Sequence, residues 1–287
     1  MWVFAVFFCL KFVFLFFIIS PAGDLPSSLI FEIKNFKITE VEQNKAISPI
    51  AKLEKSKYFE SPTLSLQQYI KRTDKSGIIA EFKRRSPSNK NINYTSNIIE
   101  VVKGYEKAGA VGVSILTNKK FFDGSGIDIV NVRDIIDIPI LKKEFIISEY
   151  QIFQAKSLGS DAILLIASIL TKEEILNFSS LANSLGLEVL LEVHSGIELN
   201  KISGNNIDII GVNNRNLDTL EIDINNSIEL YSMIPDGFVK ISESGISDPR
   251  IISGLKEYGF QGFLIGENFM NQEHPGVACQ EFINQIR

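Results

Sequence analysis

Histidine and cysteine, the residues that most often hold zinc, are nearly absent from this chain of 287 residues. Its two cysteines, Cys9 and Cys279, lie far apart in the sequence and have neither the spacing of a disulfide framework nor that of a metal-ligand motif. Because His194 and His274 are the only histidines, we expect no zinc cluster and no metal site. A shortage of cysteine is also typical of cytosolic proteins.

The chain has no excess of basic residues and no phosphate-loop motif. Its net charge of −5 argues against nucleic acid as a partner, because a nucleic-acid-binding face needs clustered positive charge. Neither G-x-x-x-x-G-K-[ST] nor a convincing G-x-G-x-x-G occurs, which argues against a nucleotide or dinucleotide cofactor. We therefore expect a protein that works without a cofactor and does not bind nucleic acid.

Residues 1–28 form an apolar leader that is unlike the rest of the chain. Every residue from Met1 to Ile19 is apolar except Lys11, and about 20 such residues can span a bilayer as a helix. Three interpretations stay open: a membrane anchor, an atypical signal peptide, or a start site assigned too far upstream. The third is supported by the lack of any methionine between Met1 and Met233. We expect a cytoplasmic protein, with membrane association only through this leader.

Residues 29–287 have the length and pattern of a single barrel domain, for which about 250 residues is typical. Leu29 to Asn44 has the apolar spacing of an amphipathic helix, which predicts an extra N-terminal helical segment. Eight short apolar runs then alternate with amphipathic segments, near residues 78–83, 111–117, 138–143, 161–166, 187–193, 207–213, 238–243 and 262–266. Such alternation indicates parallel β/α units, and the count of eight favours a closed (β/α)₈ TIM barrel. An open doubly wound sheet is the structural alternative.

Polar residues stand at the end of nearly every apolar run. In the first run, Glu81 and Lys83 are two residues apart, so their side chains point to the same side of a strand. The later runs end in Lys143, Glu192, Asn213, Glu243 and Gly266 with their neighbours. Because active sites of barrel enzymes form at the carboxyl ends of the strands, we expect a catalytic site there.

The ends of the last two runs predict a phosphate site. Ser244 and Gly245 follow the seventh run, and Gly266 and Glu267 follow the eighth. Barrels commonly bind a phosphate here through backbone N–H groups, and glycine lets the backbone approach the anion closely. The residues alone thus predict a cofactor-free barrel enzyme that acts on a sugar phosphate, with lysine and glutamate as acid–base groups.

The stretch from Ile78 to Pro87, IIAEFKRRSP, closely resembles the signature of the indole-3-glycerol phosphate synthase family of tryptophan biosynthesis. Further similar motifs follow in family order: ILTNKKFFDGS (115–125), PILKKEFII (139–147), LLEVH (190–194), GVNNRNL (211–217), ISESGIS (241–247) and FLIGE (263–267). The resemblance covers the chain from about Leu29 to the C-terminus. It implies a carboxy-lyase that closes the indole ring of 1-(2-carboxyphenylamino)-1-deoxyribulose 5-phosphate, with loss of carbon dioxide and water.

The resemblance also implies a role for each site residue. Lys143, by its match to the motif P-x-L-x-K-[DE]-F, is expected to be the general acid, and Glu192, in L-x-E-V-H, is expected to assist the dehydration. Glu81 and Lys83 should orient and stabilise the reacting centre, while Asn213 should position Glu192 or the substrate hydroxyls. Arg215 and Lys83 are expected to contact the substrate carboxylate. The phosphate is expected to contact Ser86, Ser244, Gly245, Gly266 and the Glu267 backbone. Leu116 and Phe122 are expected to contact the anthranilate ring.

Two residues near the expected site are predicted to have no catalytic part. Strand alternation turns Lys142 away from Lys143, so we expect it to be a solvated charge. The same alternation predicts that His194 faces away from the surroundings of Glu192 and is structural.

The chain departs from the family pattern at a few positions. Asn89 and Lys90 stand where Lys-Gly usually follows the SPS motif, Asn118 stands where an acid is common, and Glu267 stands where serine is common. The last departure puts a side-chain contact to phosphate in doubt.

Two other functions compete with the synthase: a related phosphoribosyl isomerase, and a membrane-tethered, non-catalytic barrel that binds a sugar phosphate. Glu81, Lys83 and Lys143 together argue against the first. The second would predict lost catalytic groups, and none is missing. Besides the phosphorylated substrate, other tryptophan-pathway enzymes are candidate partners.

Overall fold

The computed structural model describes residues 29–202, 204, 206–217 and 219–286, so the apolar leader lies outside it. Within the described residues, eight parallel strands close into a barrel in which each strand pairs with its neighbours in sequence and β1 pairs with β8. The strands are β1 (Ile78–Phe82), β2 (Gly112–Leu116), β3 (Ile140–Lys143), β4 (Ala162–Ile166), β5 (Glu188–Val193), β6 (Ile209–Asn213), β7 (Val239–Glu243) and β8 (Gly262–Ile265). The prediction of a (β/α)₈ barrel is confirmed, and the open sheet is excluded.

Helices precede the barrel and follow its strands. They are α1 (Leu29–Ile47), α2 (Ile50–Leu53), α3 (Leu66–Ile70), α4 (Ile98–Ala108), α5 (Lys119–Phe122), α6 (Gly126–Arg133), α7 (Glu149–Leu158), α8 (Lys172–Ser184), α9 (Gly196–Leu199), α10 (Asn225–Tyr231), α11 (Pro249–Tyr258), α12 (Glu267–Met270) and α13 (Pro275–Gln285). Helix α1 is the predicted N-terminal helical segment. No helix in the described part of the chain is long and apolar enough to cross a membrane.

Local sequence explains where α8 begins. The Thr171 side chain accepts a hydrogen bond from the Glu174 backbone N–H, and the Glu174 carboxylate accepts one from the Thr171 backbone N–H. This reciprocal arrangement satisfies two N–H groups that have no partner inside the helix. It is the capped helix start that the Thr-Lys-Glu-Glu sequence predicts.

The strands are buried on both faces, because side chains fill the barrel and helices cover its outside. In β4, for example, every residue of Ala162–Ile166 is buried. The prediction of a solvated Lys142 is therefore wrong. Its side chain does point out of the barrel, but there it is 1 % exposed and its Nζ donates a hydrogen bond to Gln154 Oε1 of α7 at 3.1 Å. Burial lowers the pKa of Lys142 to about 8.

Helix α1 packs at the carboxyl ends of the strands and so helps to close the site. Its Ile33 is buried and lines the cavity at that end of the barrel. Lys37, also buried, pairs with the carboxylate of Glu144, just after β3, at 3.2 Å. The Thr117 hydroxyl, after β2, donates to the same carboxylate at 2.9 Å. The helix is thus anchored to the loops that follow two neighbouring strands.

Candidate active site

A cavity of about 700 Å³ opens at the carboxyl ends of the strands. It is lined by every residue that the sequence predicts for the site: Glu81, Lys83, Ser86, Leu116, Phe122, Lys143, Glu192, Asn213, Arg215, Ser244, Gly245, Gly266 and Glu267. Glu144 and Glu243 line it as well. The structure thus brings all the predicted positions together, whereas their individual roles stay predictions.

Lys143 lies at the centre of the polar part of the cavity. Its ammonium contacts the Glu243 carboxylate at the end of β7 and lies 3.4 Å from Glu192 Oε2 on β5. Burial alone would lower the pKa of Lys143, but these carboxylates outweigh burial and raise it. Lys143 therefore carries its proton at neutral pH and can deliver it to a reacting oxygen.

Glu243 is a site residue to which neither the sequence pattern nor the family resemblance assigned a role. It is 1 % exposed, and its Oε1 has no hydrogen-bond partner among the described residues. Burial raises the pKa of Glu243 to about 7, against the opposite effect of Lys143. The sequence held a signal for it, because Glu243 ends the seventh apolar run where inward-pointing polar groups were expected.

Gly211 in β6 makes the space for the Glu243 carboxyl group. A Cβ atom at position 211 would lie 2.2 Å from Glu243 Oε1, far inside contact distance. Just after β8, a Cβ on Gly266 would lie 2.6 Å from Glu81 Oε1 of the neighbouring strand β1. Two glycines thus leave room for two inward-pointing carboxylates.

Glu192 is held by three neighbours. Asn213 Nδ2 donates a hydrogen bond to its Oε1 at 3.2 Å, Lys143 lies 3.4 Å from its Oε2, and His194 Nε2 lies 3.3 Å from its Oε1. Burial alone would raise the pKa of Glu192, but Lys143 and then His194 outweigh burial and lower it. Glu192 is therefore an ionised carboxylate that can accept a proton.

The contact with His194 shows that the prediction of its orientation is wrong. Strand β5 ends at Val193, so the alternation of a strand does not govern the next residue. The His194 ring turns back to Glu192 and also lies 3.5 Å from the Glu198 carboxylate. Burial alone would lower its pKa, but Glu198 and Glu192 outweigh burial and raise it.

Glu81 and Lys83 form an ion pair at the mouth of β1, as the spacing of two residues predicts. Lys83 Nζ lies 3.0 Å from Glu81 Oε1, and Ser114 of β2 donates a hydrogen bond to Glu81 Oε2 at 3.4 Å. The Glu81 side chain is 8 % exposed and that of Lys83 is 14 % exposed. The lysine thus keeps its ammonium on the cavity side, where it can meet a substrate anion.

The candidate phosphate end lies where β7 and β8 finish. Ser244 and Gly245 both have left-handed backbone conformations, with φ of 71° and 77°. Such a conformation is unusual for serine, and strain of this kind occurs at functional sites. Ser86 faces them from the loop after β1, where its Oγ accepts a hydrogen bond from the Asn89 N–H at 3.1 Å.

The opposite end of the cavity is apolar. Leu116 pairs in register with Lys143, and Phe122 packs against Phe145 with ring centroids 6.1 Å apart. Leu164 of β4 and Ile33 of α1 also line this end. The site therefore combines a candidate anion-binding end, the Lys143 ammonium and an apolar wall of a kind that suits an aromatic ring. No group of histidine, cysteine and carboxylate side chains in the described ranges could hold a metal ion.

Comparisons with known proteins agree with this geometry. A family model described as indole-3-glycerol phosphate synthase matches residues 31–282. An indole-3-glycerol phosphate synthase of Bacteroides thetaiotaomicron is 46% identical over 259 residues, which are 90% of this chain and 99% of that protein. One from Sulfurisphaera tokodaii is 47% identical over 216 residues, 75% of this chain and 87% of that protein.

A solved structure supports the fold. The crystal structure of tryptophan synthase subunit alpha from Legionella pneumophila matches with a TM-score of 0.57 and 13% identity. The match covers 77% of this chain and 96% of that one. At this identity the likeness concerns the barrel architecture alone.

Proposed function

The chain belongs to the indole-3-glycerol phosphate synthase family, and from this premise we propose how its cavity divides the ring-closure reaction among its side chains. The enzyme is a carboxy-lyase of tryptophan biosynthesis that acts on a phosphorylated small molecule. In this reaction the aromatic carbon that bears the carboxylate attacks the ketone of the ribulose chain. Carbon dioxide then leaves, and loss of water completes the indole ring.

Lys143 is the general acid in this proposal. The observation that carries the assignment is the position of its ammonium, which faces the cavity, contacts the Glu243 carboxylate and lies 3.4 Å from Glu192 Oε2. A ring bound on the apolar wall and a phosphate bound at the opposite end place the substrate ketone between them. Lys143 then protonates the ketone oxygen as the new carbon–carbon bond forms.

Glu192 assists the dehydration. It is ionised and hydrogen-bonded to Asn213, so it can take the proton from the ring carbon next to the nitrogen as the double bond forms. The hydroxyl group leaves as water with a proton from Lys143, which Glu243 has reprotonated. Asn213 is a positioning residue, because its contact is with Glu192. Glu243 keeps Lys143 in place and, with a pKa of about 7, can exchange a proton with it between the two steps.

The remaining polar groups bind the substrate anions. Arg215 and Lys83 are the proposed partners of the anthranilate carboxylate, since both line the cavity and are positively charged. Ser86, Ser244, Gly245 and Gly266, with the backbone of Glu267, are the proposed phosphate contacts. Leu116 and Phe122 are the proposed wall against the aromatic ring.

The organisation of the whole chain is also a proposal. We propose that residues 29–287 form the catalytic domain and that the protein acts in the cytoplasm. The strands and helices of the barrel lie within that range, which supports the first point. Association with other tryptophan-pathway enzymes, and with membranes through residues 1–28, are separate proposals.

The neighbouring lysines of β3 offer a matched test of the general acid. Lys143 and Lys142 are both buried, but the first points into the cavity and the second points out of it. We expect K143M to lose about 10²–10⁴-fold in kcat, the usual contribution of a general acid or base. K142M should keep the wild-type kcat. The assay follows the fluorescence of indole-3-glycerol phosphate, with circular dichroism to show that both variants are folded. A folded K143M that turns over at the wild-type rate would contradict the assignment.

A further inference from the structure

A carboxylate occupies the part of the cavity that is assigned to the substrate phosphate. Glu267 is the first residue of α12 and lines the cavity together with Ser244, Gly245 and Gly266. Its side chain is 33% exposed, and its carboxylate faces the cavity. A phosphate that enters there brings like charge close to it, which opposes binding.

The Glu267 carboxylate also ties together three loops at the rim of the cavity. Its Oε1 accepts a hydrogen bond at 3.1 Å from Asn89 Nδ2, in the loop after β1. Its Oε2 lies 3.9 Å from Arg215 Nη2, in the loop after β6. Glu267 itself follows β8. One side chain therefore bridges loops that a substrate must pass between.

Arg215 is fixed near Glu267 by other contacts as well. Its Nη1 donates a hydrogen bond to the Leu220 carbonyl oxygen at 3.0 Å, and its backbone N–H donates one to Asn213 Oδ1 at 2.9 Å. A substrate anion that pairs with Arg215 must compete with Glu267 for the guanidinium group. The position of Glu267 thus weakens two favourable contacts of the substrate at once.

We propose that Glu267 acts as a built-in competitor of the substrate phosphate, holding Asn89 and Arg215 in the empty enzyme and releasing them when the dianion binds. It is a positioning residue, which sets the affinity for phosphorylated substrate and product and leaves the chemical steps alone. The proposal rests on the phosphate site assigned under the proposed function. If Glu267 competes in this way, phosphorylated substrate and product bind more weakly than they would with a neutral side chain at position 267.

The test uses the full chain and two substitutions at this position. E267Q removes the charge but keeps an oxygen that can accept the hydrogen bond from Asn89, whereas E267S removes both. Glu273 is exposed and lies outside the cavity, so E273Q is the control for the change in net charge. For each variant we would measure kcat, KM and the inhibition constant of inorganic phosphate, at low and at high salt.

We expect E267Q and E267S to lower both KM and the phosphate inhibition constant by about 3- to 10-fold, without an increase in kcat. The difference from wild type should shrink at high salt, because salt screens a charge that is one-third exposed. E273Q should match the wild type. Unchanged or higher constants in E267Q would overturn the proposal.

These measurements distinguish a wrong role for Glu267 from a wrong location of the phosphate site. If inorganic phosphate does not compete with substrate in the wild-type chain, the phosphate site itself is wrong, and the role of Glu267 falls with it. If phosphate competes in the wild type but E267Q binds it no more tightly, only the role of Glu267 is overturned.

Discussion

Replacing Gly211 by alanine tests whether the Glu243 carboxyl group must keep its position for catalysis. The added Cβ would lie 2.2 Å from Glu243 Oε1 and 3.1 Å from Leu190 Cδ1. The carboxyl group must therefore retreat by about 1 Å to reach ordinary contact. Because Glu243 contacts the Lys143 ammonium, that retreat weakens the contact and lets the ammonium move.

The expected effect on rate is much larger than the effect on stability. Misplacing a catalytic group by about 1 Å costs roughly 10²-fold in rate, so we expect kcat of G211A to fall by about that factor. Overpacking a core position typically costs about 1–3 kcal/mol in the free energy of unfolding. The lower end is expected here, since the displaced atom is the end of a flexible side chain.

Two other glycines provide controls. A Cβ on Gly262 would lie 2.6 Å from Ile241 Cγ2 and 3.2 Å from Ile70 Cγ2, so G262A overpacks the barrel without touching the carboxylates. A Cβ on Gly254 would meet nothing within 4 Å. We expect G262A to be less stable but to keep its kcat, and G254A to be as stable as the wild type or more so. The fluorescence assay gives kcat, and urea unfolding followed by circular dichroism gives stability. A folded G211A with wild-type kcat would refute the reasoning.

Two buried groups make pH-dependent contributions to stability that substitutions should remove. The pKa of Glu243 is raised to about 7, so the folded state binds more protons than the unfolded state between pH 4.5 and 7. The contribution of Glu243 to the free energy of unfolding therefore falls by on the order of 3 kcal/mol as pH rises through that window. In urea unfolding, the free energy of unfolding should fall less between pH 5 and pH 7 in E243Q than in the wild type. The pKa of Lys142 is lowered to about 8, so below that pH its burial as a cation costs on the order of 3 kcal/mol, a cost that disappears as pH rises toward 10.5. K142M should therefore be more stable than the wild type at pH 7 by about 1–3 kcal/mol in urea unfolding, and a less stable K142M would contradict this reasoning.

Strand periodicity accounts for most of what the sequence predicts about the site. Glu81 lies on β1 and Lys83 is one residue beyond its end, and the two side chains share a face because they are two residues apart. Lys143 and Glu192 end their runs on the inward side. The side of the strand on which each of these side chains lies depends on the alternation of side chains along the strand, which can be read from the sequence. The same rule places Lys142 on the outward side, but it cannot tell that α7 covers that side, because burial there depends on tertiary packing.

Prediction from sequence is less secure just beyond the end of a regular element, where it succeeds for Lys83 but fails for His194. His194 is one residue beyond β5, so its orientation depends on the loop and on its carboxylate neighbours. Helix α5 is too short to show a helical period, and its start depends on the Asn118 side chain, which accepts a hydrogen bond from the Phe121 backbone N–H at 2.9 Å. Such positions need the folded chain, because their partners come from outside the local pattern.

The charge balance at the centre of the cavity arises only when β1, β3, β5 and β7 meet. Lys83 and Lys143 supply two ammonium groups, whereas Glu81, Glu192 and Glu243 supply three carboxyl groups. Burial, together with the nearby charges of Glu192 and Glu81, raises the pKa of Glu243 to about 7 against the effect of Lys143, so this carboxyl group shares a proton with solvent near that pH. The centre is then close to neutral near pH 7, and it gives no net attraction to a substrate that carries both a carboxylate and a phosphate. Net attraction is then expected from Arg215 and from backbone N–H groups at the rim, and the carboxylate of Glu267 lies beside that guanidinium group. This is the physical basis for proposing that Glu267 sets the affinity.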